Sequence, residues 1–244
     1  MPVIAAYSIK GGVGKTATAV NLAYLASLEG KPTLICDLDP QGSATFYFRI
    51  KPKIKAGTKA VLKGGKLIEK SIKGTDFENL DLLPADFSYR NLDIIFDNVK
   101  KSKLRLKRLL APLRKEYEYI FLDCPPNITL VSENIFNAAD NILAPIIPTS
   151  LSVRTFEKLL KFFKKEEYKS KKLIPFFSMV EKRKRMHKEI METLPKDVKR
   201  FLKSAIPYSS EVERMGIKRE PLVFSKPSCV AAKAYKSLWE EINK

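Results

Sequence analysis

Near the start of the chain, Lys10-Gly11-Gly12-Val13-Gly14-Lys15-Thr16 has the residue types and spacing needed to hold a phosphate chain. Three glycines let the backbone curl until several amide N–H groups point inward. A helix opening at Lys15 adds the partial positive charge of its N-terminus. Lys15 can reach the outer phosphates, the Thr16 hydroxyl can ligate Mg²⁺, and Val13 and Ala17 complete the cradle. The broader pattern has a further glycine five residues before Gly14, where this chain has Ile9. Three carboxylates follow at positions that matter. Asp37 and Asp39 stand two apart at the end of an apolar run and would face the same way if the strand continued. Asp123 ends a second run, Tyr119-Ile120-Phe121-Leu122. Phosphoryl chemistry on such a set needs positioning and charge neutralisation, not a histidine or cysteine nucleophile.

The elements that must position these groups alternate along the chain. Strands are expected at Val3–Tyr7, Thr33–Leu38, Leu80–Pro84, Tyr119–Asp123, Asn141–Ile147, 173–180 and 204–206. Helices are expected at Lys15–Glu29 with Gly30 as the stop, and at 88–116, 152–166, 182–193, 209–215 and 229–243. That alternation predicts an α/β fold, a doubly wound and mainly parallel sheet flanked by helices. No linker or repeat divides residues 1–244, so one domain is expected.

Composition narrows the class. The 244 residues carry 45 Lys+Arg against 27 Asp+Glu, a net charge of +18, with 45% apolar residues. The longest uncharged runs, 16–28 and 141–153, have thirteen residues, short of the roughly 20 that span a bilayer. With no basic leader in residues 1–9, a cytoplasmic location is expected. Three unclustered cysteines argue against a disulfide framework or a CxxC metal site. The lone histidine, His187, is read as solvated, Cys124 as a packing residue and Trp239 as a core anchor. The charge is unevenly placed. Residues 1–48 hold three bases and three acids, whereas 49–73 hold nine and one, 100–115 eight and none, 161–188 eleven and three, and 199–219 six and two. Any one block can be a solvated helix face, but four together point to a polyanion partner.

With these residues in place, the chain resembles the ParA/MinD ATPases. Lys10–Thr16 looks like their deviant Walker A loop, Asp37-Leu-Asp39-Pro40-Gln41-Gly42 like the second motif, and Phe121-Leu-Asp123-Cys-Pro125-Pro126 like the third. The likeness continues through Ile206-Pro207 and Ala234-Tyr235 to the last helix. It implies a P-loop NTPase of the deviant Walker A type that uses ATP and Mg²⁺. It further implies that Lys10 reaches the phosphates of a partner subunit in an ATP-bound homodimer. Asp39 would orient or deprotonate the attacking water, Asp37 would hold the metal's water shell, and Asp123 would act on Mg²⁺ through water. The base-contacting loop is expected around Pro207–Met215, with Pro207 and Met215 as its candidates.

The resemblance also implies non-specific DNA binding by the dimer, in association with the nucleoid, and hydrolysis stimulated by a ParB-like or other cargo-adaptor protein. A DNA-contacting arginine of the family falls on Arg183, within Lys182, Arg183, Lys184, Arg185 and Lys188. A second falls near Glu211, where Arg214, Lys218 and Arg219 are the neighbouring replacements. Block 49–73 ranks below 182–188 as a DNA surface because it lies where nucleotide-responsive loops would be. No helix-turn-helix precedes the first strand, which argues against operator-specific repression. A MinD-like membrane switch is the alternative reading. Trp239-Glu240-Glu241-Ile242-Asn243-Lys244 places acids where membrane contact wants lysine, so no membrane partner is expected. An ATP-dependent carboxylase or amide ligase is a third reading, which leaves the positive charge without a use.

Overall fold

The computed structural model describes residues 2–52, 54, 65–97 and 100–243. Among them, eight strands form one sheet: β1 (Val3–Ala6), β2 (Thr33–Asp37), β3 (Lys73–Gly74), β4 (Leu80–Leu83), β5 (Tyr119–Asp123), β6 (Asn141–Ile146), β7 (Leu173–Val180) and β8 (Ala205–Pro207). Their order is β3-β4-β2-β5-β1-β6-β7-β8, and every pairing is parallel except β3 with β4. Parallel neighbours need crossovers, which α1 (Lys15–Leu28), α2 (Ser43–Tyr47), α3 (Arg105–Leu113), α4 (Leu130–Ala138), α5 (Ser150–Lys165) and α6 (Arg185–Asp197) provide in part. A closing helix, α7 (Val230–Ile242), lies against α1 and β8.

The central strands are apolar on both sides because helices cover both faces. Val3 and Ala5 of β1, Leu34 and Cys36 of β2 and Leu122 of β5 join α3, α4 and α5 in one core layer. Ile4, Ala6, Ile35 and Phe121 point the other way, into the layer of α1 and α7. The first helix is enclosed on nearly every side, from Lys15 to Ser27 with Thr16 less covered. That explains its lack of a polar stripe. Trp239 anchors α7 at 4% exposure, its indole N–H donating to Glu29. Cys124 is buried packing as expected.

The predicted 88–116 helix is broken into a 3₁₀ turn (Phe87–Asn91), a short helix (Leu92–Asp97), a second 3₁₀ turn (Ser102–Leu104) and α3. Asp86 starts the first piece by accepting the Ser88 N–H, and Lys101 breaks the run at φ 58°. Sequence reading assigned no element to α4, α2 or the two-residue edge strand β3. The basic run 49–73 lies partly outside the described residues.

Candidate nucleotide site and basic face

The site is assembled at the C-terminal edge of the sheet, where ligands of open α/β sheets bind. Asp123 pairs in register with Asp37 on one side and with Ala6 on the other. The tips of β2, β5 and β1 therefore lie side by side, and β1 leads directly into the phosphate loop. Gly12 and Gly14 take φ 68° and 91°, values that L side chains rarely adopt. A Cβ on Gly14 would stand 3.0 Å from the Ser178 Oγ, so the end of β7 closes against the loop where it enters α1. Gly11 meets no neighbour and its space stays open.

Lys15 is 7% exposed and its Nζ donates to the Lys10 carbonyl at 3.2 Å. Burial lowers its pKa, opposed by Asp123 and other nearby negative charge. Lys10 is half-buried, and its backbone N–H donates to Ser8 Oγ at 3.3 Å. Val13 and Ala17 are buried beneath the loop, and Thr16 sits at the mouth of α1.

The carboxylates differ in kind. Asp37 is fully buried, and its Oδ2 accepts the Thr45 N–H at 2.8 Å and the Thr45 hydroxyl at 2.7 Å. Burial still pushes its pKa up to about 6. Asp123 is also fully buried, and neither of its oxygens has a hydrogen-bond partner. Burial and then the Asp37 charge raise its pKa well above the ordinary aspartate value, while Thr16 and Lys15 pull it back. An unpaired buried carboxylate is costly, and its free lone pairs beside Thr16 fit a magnesium ion. Among the described residues no group of three His, Cys, Asp or Glu side chains forms a closed metal cage. Mg²⁺ asks for no such cage, since one or two carboxylates, waters and substrate phosphates suffice.

Asp39 does not share Asp37's setting. The strand stops at Asp37, and Asp39 opens a turn in which its Oδ1 accepts the Gln41 N–H at 2.9 Å. It is half-buried, and its charge acts on Asp37, Asp123 and Lys15. Sequence reading missed Thr45, whose hydroxyl donates to Asp37 and accepts the Ala85 N–H at 2.8 Å. The available signal was a hydroxyl just inside a helix that opens at Gly42, φ 67°.

Two expectations need correction. Met215 lies with its side chain in the core, 1% exposed, its sulfur accepting from Asn21 Nδ2 at 3.5 Å. It packs the last layer against α1 and presents no side chain to a base. Pro207 ends β8 opposite Val180. His187 is not solvated but 2% exposed, and its Nδ1 accepts the Glu181 N–H at 3.1 Å. The apolar side of α6 carries it inward with Leu194.

The basic blocks separate into structural and free groups. In 100–115, Leu106, Leu109, Leu110 and Leu113 bury one face of α3. Lys103 pairs with Glu133 at 2.6 Å and Arg114 with Asp140 at 2.8 Å. Lys172 donates to the Phe136 and Ala139 carbonyls at the end of α4, a helix C-cap. Arg219 donates to the Phe46 carbonyl at 2.9 Å with its guanidinium 4.5 Å from that ring's centre, so it staples rather than reaches out. Arg214 and Lys218 remain exposed.

The segment 182–188 is different. Lys182, Arg183 and Lys188 are exposed with no ion pair among the described residues. Lys184 pairs with Glu181 and Arg185 with Glu189. No acid occupies the first turn of α6, and no side chain caps Lys184 at its N-terminus. Cations at the positive end of a helix repel it unless an anion joins them.

Residues 1–175 match the family model AAA_31, an AAA domain. The sporulation initiation inhibitor protein Soj of Bacillus subtilis is 28% identical over 98% of this chain and 97% of its own. The chromosome partitioning protein ParA of Myxococcus xanthus is 37% identical over 56% of this chain and 49% of its own. Among solved structures, a plasmid partition protein of Borrelia burgdorferi B31 bound to AMPPNP is similar with a TM-score of 0.85 and 26% identity, covering 99% of this chain and 98% of that one. The strand order, the glycine loop entering α1 and the aspartates at adjacent strand tips agree with that likeness, and the chain belongs to the AAA_31 family as a protein of the ParA/Soj type.

Proposed function

We propose that this protein is a DNA-partitioning ATPase that binds Mg-ATP in the Lys10–Thr16 loop, pairs with a second copy, and grips DNA without sequence preference. The pairing of Asp37 with Asp123 beside the loop carries the nucleotide reading. The amides after Gly11 and the Lys15 ammonium would hold the phosphates, and Thr16, Asp37 and Asp123 would hold the metal and its waters. Bound magnesium would neutralise charge on the phosphates. Asp39, half-exposed at the turn, would orient the attacking water, and Lys10 would reach the partner subunit's phosphates. A ParB-like or other cargo adaptor would stimulate hydrolysis.

DNA contact is assigned to Lys182, Arg183, Lys188 and the start of α6, with Arg214 and Lys218 on the neighbouring segment. Phosphate contacts of this type position a protein without reading sequence. The turn leaves the same sheet edge as the phosphate loop, which supports nucleotide control of the grip. No helix among the described residues is long and apolar enough to cross a membrane.

The test is retention on DNA with ADP, ATP and a slowly hydrolysed ATP analogue, run beside anionic liposomes. Retention on DNA only with triphosphate, lost in Lys10→Ala together with dimerisation, is the expected result. Retention on liposomes instead would transfer the protein to the MinD-like reading.

A further inference from the structure

His187 is the one imidazole in the chain, and the nucleotide chemistry does not use it. It is the third residue of α6, and its side chain reaches back over the helix start to Glu181. A side chain at this helical position commonly accepts a backbone N–H in front of the helix, but here it spans six residues rather than three. The segment between, Lys182-Arg183-Lys184, is the exposed basic turn. Its other internal ties are the Lys184 N–H to the Glu181 carbonyl at 3.0 Å and the Lys184–Glu181 ion pair. Both of these end on Glu181. The His187 bond therefore joins the residue that anchors the turn to the buried face of α6.

The same strand end touches the nucleotide loop. Ser178 closes on Gly14, Met179 takes a left-handed φ of 54°, and the β7–β8 register shifts between Phe177 and Val180. Val180 then accepts the Tyr208 N–H at 3.0 Å. This irregular strand end leads into Glu181, where the clasp begins.

We propose that His187 is a positioning residue for DNA binding: through its unprotonated Nδ1 it holds Glu181, so that Lys182 and Arg183 meet the DNA backbone from a fixed turn. The inference rests on the DNA-binding reading above and adds a residue that touches no DNA itself. An ordered turn carries its cations to neighbouring phosphates without first losing conformational entropy. Asparagine can present an acceptor near the position of Nδ1, whereas leucine fills the space without one.

The test compares wild type, His187→Leu and His187→Asn for ATP-dependent DNA affinity, dimerisation and ATP turnover. The expected result is about tenfold weaker DNA binding in the leucine variant, with dimerisation and basal turnover unchanged and affinity recovered in the asparagine variant. Equal DNA affinity in wild type and the leucine variant would overturn the role of His187. Failure of wild type to bind DNA would instead overturn the function it rests on. Nitrogen NMR of wild type tests the clasp independently of whether the leucine variant folds. A proton on Nε2 and a slowly exchanging Glu181 amide support it, and a proton on Nδ1 refutes it.

Discussion

Asp37 and Asp123 are register partners at the tips of adjacent parallel strands, both fully buried, one hydrogen-bonded by Thr45 and the other without a geometric hydrogen bond to either oxygen. The sheet thus sets two carboxyl groups side by side in a buried place where the charge of one opposes ionisation of the other. Hydrogen bonds from Thr45 satisfy Asp37 as an acceptor, yet burial still raises its pKa. Asp123 has only Lys15 and Thr16 to offset burial and its neighbour. Stability is given up at this edge, and a metal ion would return it.

An aspartate whose folded pKa lies above its unfolded value binds its proton more tightly when folded. Its stabilising contribution is full below the unfolded value near 3.8 and is lost as pH rises through about 6. The span of about two units corresponds to at most about 3 kcal/mol. Urea unfolding without nucleotide or metal should therefore show wild type losing stability relative to Asp37→Asn between pH 4 and pH 7. Parallel stability curves for the two proteins would refute this.

Asp123→Asn should separate stability from ligand binding. Replacing a buried carboxyl whose ionisation burial opposes is expected to raise the melting temperature of the nucleotide-free protein, by about 2–4 °C for each kcal/mol recovered. The same variant should lose the additional stabilisation that Mg²⁺ gives with ATP. Thermal scans with ATP, with and without the metal, check both halves. A lowered melting temperature would show that Lys15 and Thr16 outweigh the cost of burying the Asp123 carboxyl.

Gly14→Ala should fail for two independent reasons. Its φ of 91° costs an L residue about 1–2 kcal/mol. The new Cβ would also meet Ser178 Oγ at 3.0 Å. Pairing it with Ser178→Gly should relieve the contact while leaving the backbone strain. Denaturation midpoints of both variants resolve the two parts, and no improvement in the double variant would rule out the contact.

Asp39→Ala is expected to bind ATP but not turn it over, because Asp39 stands at the turn rather than among the buried ligands. Its fold stability should change little. Phosphate release and nucleotide binding measured on the same sample decide the matter. Wild-type release would remove Asp39 from the water-positioning role.

Lys182→Glu with Arg183→Glu should weaken DNA binding while ATP binding is kept. If about six phosphates are neutralised, affinity of the wild type should fall by roughly 10³ between 50 and 200 mM salt. The double variant should show a log–log salt slope smaller by about 2. Lys184 is the poorer choice because Glu181 already pairs with it. An unchanged slope would move the DNA surface to another basic block.

The phosphate loop, the three aspartates and the parallel α/β architecture were legible in the sequence because each is local. Glycine spacing, an apolar strand ending in a carboxylate, and strand–helix alternation all act within a few residues. Local pattern could not say which strands become neighbours. Tertiary structure placed β5 between β2 and β1, and that order alone puts Asp123 beside Asp37 and leaves it unpaired. It also ended β2 at Asp37, so that Asp39 stands in the turn beyond the strand.

The same division holds for charge. Sequence by itself determined that the surplus lies outside the nucleotide-binding quarter, since composition can be counted by segment. Only the fold decided which cations are committed, as Lys172 caps a helix 33 residues away and Arg219 covers Phe46. His187 was misread because its polar neighbours are sequential, whereas its burial comes from the inward face of α6. A residue's type and spacing determine the chemistry it can do. Its burial and partners depend on contacts between segments distant in the chain, and only packing settles those.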